Sequence, residues 1–241
     1  MKTLRKAFTA LISLLLLTVM ITLIYFGVYY HAGKSAKESL HGSGAVSVTE
    51  ISEGYLFDGP GNNSALVFYP GAKVEAAAYA PLMDQIAEQG TDCFLCDMPL
   101  NFALFDKDRA NSIKTDDEYS YEKWFVGGHS LGGAAAAMLA EEEGKQWSGL
   151  VLLAAYPTGK IEEPILSVYG SNDGVLNMDN YKKATTNDYW PPETTELVIE
   201  GGNHALFGDY GAQKGDGNAT ITAAQQQKQT ADAITLFISK H

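Results

Sequence analysis

The stretch Trp124-Phe125-Val126-Gly127-Gly128-His129-Ser130-Leu131-Gly132-Gly133-Ala134 passes from an apolar segment, through a glycine-rich turn, into an alanine-rich segment that continues to Glu142. It reads as a strand, a tight turn and a helix, with Gly128, Ser130 and Gly132 spelling G-x-S-x-G at the turn. The setting gives the pentapeptide its meaning. A serine held in a strained strand-to-helix turn has its Oγ exposed, and side chains at the flanking glycines would collide with the adjoining strand and helix. Ser130 is therefore the candidate nucleophile. Adjacent residues on such a turn project in different directions, so His129 reads as packing or support and not as a base.

A serine hydroxyl is a weak nucleophile at neutral pH and needs a base and an orienting carboxylate; after a turn of this kind they follow in the order Ser, Asp or Glu, His. The apolar run 164–169 leads into Gly170-Ser171-Asn172-Asp173-Gly174, which puts Asp173 just past a strand end. Asp179 is the second choice. The run 195–199 leads into Glu200-Gly201-Gly202-Asn203-His204, so His204 also sits on a loop beyond a strand. The oxyanion that forms when a carbonyl is attacked needs N–H donors: the backbone of Leu131, and that of Gly71 or Ala72 in the loop Pro70-Gly71-Ala72-Lys73. Proline has no N–H to give.

Strands are expected at 46–51, 54–58, 65–69, 91–97, 124–127, 149–154, 165–169 and 196–199, and helices at 75–89, 131–142 and 220–239. The later strands are continuous apolar runs bounded by Gly, Pro or Asp, as expected when both faces are covered. The alternation predicts an α/β fold, a mostly parallel sheet with helices on both faces. In the last helix, Ala224, Ala231, Ile234 and Ile238 form the apolar stripe, and Gln225, Gln226, Gln227 and Lys228 are expected to face water.

These residues resemble the α/β-hydrolase superfamily, in particular its compact bacterial single-domain members related to dienelactone-hydrolase-like proteins. The resemblance runs from about Ala65 to the C-terminus. It is carried by Tyr69-Pro70-Gly71-Ala72-Lys73-Val74, Gly128-His129-Ser130-Leu131-Gly132-Gly133, Gly170-Ser171-Asn172-Asp173, and Gly202-Asn203-His204 followed by Phe207-Gly208-Asp209-Tyr210-Gly211. It implies the α/β-hydrolase fold and a hydrolase with Ser130, Asp173 and His204 as catalytic residues. The nucleophile is serine where dienelactone hydrolases use cysteine, so that particular activity is not implied. The leading expectation is hydrolysis of a small-molecule ester or acyl substrate through an acyl-Ser130 intermediate, without a cofactor. The alternatives are an acyltransferase or thioesterase using the same residues, and a non-catalytic binding module on the same scaffold. Only residues 156–163 and their flanks separate the strands at 149–154 and 165–169, too short a connection for a helical lid. The site is then open and suited to short-chain esters, with Phe102, Leu104, Phe105 and Phe207 as expected apolar walls.

Ahead of this body, residues 8–30 carry no charge and as a helix would span roughly 34 Å, enough to cross a bilayer. Lys2, Arg5 and Lys6 precede the run, so the positive-inside rule places the N-terminus in the cytoplasm and the remainder outside the cell. The reading is a single-pass membrane anchor at 1–30, a flexible tether rich in Gly, Ser and Lys at 31–45, and the catalytic domain at 46–241. The alternative is a cleaved signal that releases a secreted protein beginning near Ala36. The formal net charge of -12 argues against nucleic acid as a partner. Cys93 and Cys96 form a C-x-x-C, but positions three apart on a strand point to opposite faces, and no second pair exists to complete a zinc site. No metal is expected.

Overall fold

Residues 64–69, 92–96 and 149–153 are almost wholly apolar and buried throughout, and as β-branched, aromatic and leucine-rich runs they can only be strands covered on both faces. The computed structural model describes residues 2–61 and 63–241. Eight strands, β1 (Ser47–Ile51), β2 (Gly54–Asp58), β3 (Ser64–Tyr69), β4 (Asp92–Cys96), β5 (Lys123–His129), β6 (Gly149–Leu153), β7 (Ile165–Gly170) and β8 (Thr194–Ile199), form one sheet in the order β1-β2-β4-β3-β5-β6-β7-β8. The pairings β1–β2 and β2–β4 are antiparallel and the remaining five are parallel. This is the α/β-hydrolase fold.

The helices are α1 (Lys2–Gly27), α2 (Lys34–Ser39), α3 (Ala80–Glu88), α4 (Arg109–Lys114), α5 (Leu131–Glu143), α6 (Met178–Thr186) and α7 (Ala223–Lys240). On one face of the sheet α3 and α7, with α2 packed on α3, cover Leu66, Phe68, Phe125, Val151 and Leu153. On the other, α4 and α5 cover Ala65, Val67, Val126, Leu150 and Leu152. The strict alternation along each strand divides the core in two, and each Leu, Val or Phe fully withdrawn from water adds about 1.5–3 kcal/mol. Cys93 and Cys96 fall into opposite halves of this core, as their spacing requires, and burial pushes both thiols up from their ordinary pKa. The short helices α4 and α6 were not among the expected elements. α7 begins at a capping box between Thr222 and Gln225. Gln226 and Gln227, expected to face water, are instead buried.

The N-terminal segment differs from expectation in its second half. Residues Phe8–Gly27 form one continuous helical span of 20 residues with mean hydropathy 2.4 and no part buried, long and apolar enough to cross a membrane. The helix stops at Gly27, and Tyr30 is already part of the body. Tyr30 N–H donates to Lys73 O at 2.7 Å and Tyr30 O accepts from Glu75 N–H at 2.9 Å, forming an isolated parallel bridge to Val74. The segment 31–45, read as a flexible tether from its Gly, Ser and Lys content, is docked. Ala32 and Ala36 are buried, Gly33 N–H donates to Asp209 O, and Ala36 N–H donates to the Asp209 carboxylate. Composition misled here because the two small apolar residues that fit the groove are outnumbered by their exposed polar neighbours.

Candidate active site

β5 ends at His129 and α5 begins at Leu131, leaving Ser130 alone at the turn with φ 54° and ψ −122°. A non-glycine residue held at positive φ is strained. Such residues gather on one edge of the sheet: of the six among the described residues, Lys73, Leu100, Asn101, Ser130 and Ala154 all follow the C-terminal ends of β3 to β6. The flanking glycines answer a close approach of backbones. A Cβ on Gly132 would lie 2.3 Å from Tyr69 O, and one on Gly128 would lie 2.6 Å from the same atom. Only glycine lets α5 start this near β3.

His204 is brought to the same edge from the loop after β8, and Asp173 from the loop after β7. His204 Nδ1 lies 2.9 Å from Asp173 Oδ2, with both side chains almost fully buried. The other carboxylate oxygen of Asp173 accepts N–H bonds from Val175 and Leu176, each at 2.8 Å, so the group is held in one orientation. His204 Nε2 has no hydrogen-bond partner in the protein, and both His204 and Ser130 line one cleft of about 250 Å³. Asp179, the second choice for the acid, is exposed in the first turn of α6.

The loop after β3 separates the two expected oxyanion donors. Gly71 N–H donates to the Tyr79 hydroxyl at 3.1 Å, whereas Ala72 follows it half-buried. Leu131 opens α5, where a helix leaves its first N–H groups without intrahelical acceptors. Tyr79 Oη in turn lies 2.7 Å from His129 Nδ1. That oxygen accepts from Gly71 and also shares a hydrogen bond with His129 Nδ1, whose direction is set by the tautomer of the ring. Burial, with His204 adjacent, drives the His129 pKa well below its ordinary value, so the ring is neutral. The His129 and His204 rings are in contact, with centroids 4.4 Å apart and planes tilted by 50°. Through Tyr79, His129 joins the Ser130 turn to the loop after β3.

The cleft walls are not those expected. Ala134, Ala154, Ala155, Tyr156, Val175 and Leu176 surround Ser130. Phe207 is fully buried and packs on the His129 ring at 5.4 Å, whereas Phe102 and Phe105 pack on Phe26 of α1, and Leu104 is exposed. The connection between β6 and β7 contains no helix, and Tyr156 and Thr158 from it form one side of the cleft. A larger cavity of about 560 Å³, bordered by Tyr55, Glu75, Asp97 and Arg109, includes neither Ser130 nor His204.

Three side chains that sequence reasoning did not single out hold the site together. The Asp216 carboxylate accepts N–H bonds from Gly174, His204, Ala205 and Gly217 at 2.8 to 3.2 Å, tying the loop that carries Asp173 to the loop that carries His204. Buried Gln226 accepts from Asn203 N–H at 3.0 Å and donates to Asn203 O at 2.8 Å, gripping the residue before His204 on both sides. Tyr79 is the third. For Gln226 a signal existed: two glutamines one helical turn before the buried Thr230 and Ala231 share the face of α7 that meets the body.

The model of the alpha/beta hydrolase family matches residues 65–228. No curated protein matches the sequence. Among solved structures, the chain is similar to a dienelactone hydrolase from Anabaena variabilis, at 13% identity and TM-score 0.62 over 82% of this chain and 99% of that one. It is also similar to Est1E from Butyrivibrio proteoclasticus, at 12% identity and TM-score 0.57 over 82% and 98%. A thermophilic esterase from Thermogutta terrifontis aligns at 14% identity and TM-score 0.55 over 83% and 93%. Likeness at this level of identity speaks to the fold alone.

Proposed function

As this chain belongs to the alpha/beta hydrolase family, we propose that it is a serine hydrolase cleaving small or short-chain carboxylic esters through an acyl-Ser130 intermediate. One observation carries the reading. His204 is bonded to Asp173 through Nδ1 at 2.9 Å and keeps Nε2 without a protein partner in the cleft it shares with Ser130. A histidine so held has its Nδ1 proton on the carboxylate side and a lone pair on Nε2.

In the first half-reaction the Ser130 oxygen bonds to the ester carbonyl carbon while its proton passes to His204 Nε2. Negative charge then develops on the carbonyl oxygen, where the N–H groups of Leu131 and Ala72 are the donors assigned to it; Gly71 serves Tyr79 instead. The tetrahedral species collapses, the bond to the alkoxy oxygen breaks, and His204 Nε2 returns its proton to the leaving alcohol. Water repeats the sequence on the acyl-serine, giving the carboxylic acid and free Ser130. Asp173 holds the ring of His204 in place and stabilises its imidazolium form. A fluorophosphonate probe should label the wild-type chain at Ser130 and leave Ser130→Ala unlabelled and without esterase activity. Labelling or turnover at the wild-type level in Ser130→Ala refutes the assignment.

The same proposal extends to location. The uncharged span Phe8–Gly27, with Arg5 and Lys6 exposed ahead of it, supports a single-pass anchor that holds the catalytic domain outside the cell. Protease added to intact cells should then remove the domain, and a protected domain would reverse the orientation.

A further inference from the structure

Outside α1 and the residue that follows it, Val28, large apolar side chains are exposed at only five positions among the described residues: Leu100, Leu104, Phe105, Val198 and Leu236. Val198 and Leu236 stand singly on β8 and α7, which is ordinary for a protein surface. The other three fall within six residues of sequence, on the paired 3₁₀ turns Pro99–Asn101 and Ala103–Phe105 that follow β4, and are 54%, 43% and 55% exposed. A cluster of this kind calls for a partner.

Its neighbour is the end of α1. The Phe26 ring packs edge-on against Phe102 at 5.2 Å and against Phe105 at 5.6 Å, so the apolar surface of the helix runs without a break onto these turns. The helix end also marks a depth. Lys73 Nζ lies 4.3 Å from the centre of the Tyr25 ring, and tyrosine and lysine together are side chains of the boundary between water and hydrocarbon. Phe105, in contact with Phe26, stands at that same level. The charges next along the chain are already paired: Arg109 with Asp106 at 2.7 Å and Lys107 with Asp108 at 2.9 Å. The patch can therefore approach lipid headgroups without bringing an isolated charge.

We infer that the turns Pro99–Asn101 and Ala103–Phe105 form a bilayer-docking surface, with Leu100, Leu104 and Phe105 seated at the headgroup–acyl boundary of the membrane that α1 crosses. The inference rests on the anchor reading of α1 and goes beyond it, because an anchor alone leaves the domain free to stand away from the lipid. It also fixes which edge of the domain faces the membrane. These turns follow the C-terminal end of β4, and Asn101 O accepts the Lys73 N–H at 2.8 Å from the loop that carries Ala72. Ser130, at the C-terminal end of β5, shares that edge.

The test uses the full chain reconstituted in phosphatidylcholine vesicles. Leu104→Cys, with Phe105→Cys as a second variant, is labelled with an environment-sensitive fluorophore; Leu236→Cys is the water-exposed reference, and Cys93 and Cys96 are buried away from the reagent. Flotation of the vesicles reports on the anchor, and quenching reports on the docking surface. The expected result is co-flotation, several-fold weaker iodide quenching at 104 and 105 than at 236, and quenching of those two positions by lipids carrying a nitroxide near the headgroup. A chain that floats while 104 and 105 are as open to iodide as 236 overturns the docking surface and leaves the anchor standing. A chain that does not float overturns both.

Discussion

Removing one oxygen from Tyr79 tests how the site is braced. The side chain is fully buried, and its hydroxyl is the partner of two further buried groups, the Gly71 N–H at 3.1 Å and His129 Nδ1 at 2.7 Å. Tyr79→Phe keeps the ring, its packing on Phe68, and nearly all the volume. It leaves both neighbours without partners. An orphaned buried polar group costs about 1–3 kcal/mol, two are created and the phenol's own desolvation on the same scale is recovered, so a net loss of about 1–3 kcal/mol is expected. That is a large share of the roughly 5–15 kcal/mol that holds a domain folded. Urea unfolding of the full chain in mild detergent, followed by tryptophan fluorescence, should show the midpoint falling with the slope unchanged. The cycle with His129→Leu sharpens the test. Once the imidazole is gone, one of the two orphans no longer exists, and the double variant should be more stable than the sum of the single losses by about 1–2 kcal/mol. The loosened Gly71 also belongs to the loop that carries Ala72, so kcat should fall by about tenfold, equivalent to about 1.4 kcal/mol. A stability loss below about 0.5 kcal/mol, the scale of an ordinary surface substitution, would refute the bracing role.

Three further outcomes follow from the same geometry. Asp173→Asn should lower kcat by about 10²- to 10⁴-fold because the wrong tautomer of His204 is favoured, whereas Asp179→Asn should be silent; the reverse pattern in ester hydrolysis would mean that the acid lies elsewhere. His129 is neutral in the folded chain with its pKa well below the ordinary histidine value, so below about pH 6.5 the unfolded state binds a proton that the folded state does not. Stability should therefore be fully present above that pH and fall by about 1.4 kcal/mol per unit as pH drops, until the folded-state pKa is reached. Comparison with His129→Gln isolates this slope from Asp84, Asp92, Asp97 and Glu163, whose burial-raised pKa values work in the opposite sense, and equal slopes in the two proteins would contradict the account. Finally, a cleft of about 250 Å³ without a helical lid should give kcat/KM a maximum at short acyl chains and no jump when substrate aggregates; a maximum at palmitoyl esters would contradict it.

The parts of the fold that were legible in the sequence are those governed by local rules. Continuous apolar runs such as Gly149–Leu153 can only be buried strands, and the glycines around Ser130 fit only a turn where backbones crowd. Asp173 and His204 stood out because each follows a strand on a glycine-rich loop. What escaped depends on contacts distant in sequence. Asp216 looks like any loop aspartate until the Gly174 and His204 amides are seen to converge on it, and Gln226 looks like a surface residue until Asn203 presents a complementary N–H and C=O. The cleft walls failed for a related reason: Phe102 and Phe105 were sought near Ser130 because they follow a strand end, yet α1 supplies them with an apolar partner of their own. The helix α6 was missed because its tyrosine is buried through bonds to Ser167 and Glu196 and not as part of an apolar stripe.

A serine held at φ 54° carries strain of order 1–3 kcal/mol that glycine at the same position would not. Ser130→Gly relieves that strain, against about 0.5–1 kcal/mol for the greater freedom of glycine in the unfolded chain, and it abolishes the hydroxyl in one substitution. The serine at this turn therefore stands against the preference of the fold, as the proposed use of its hydroxyl requires.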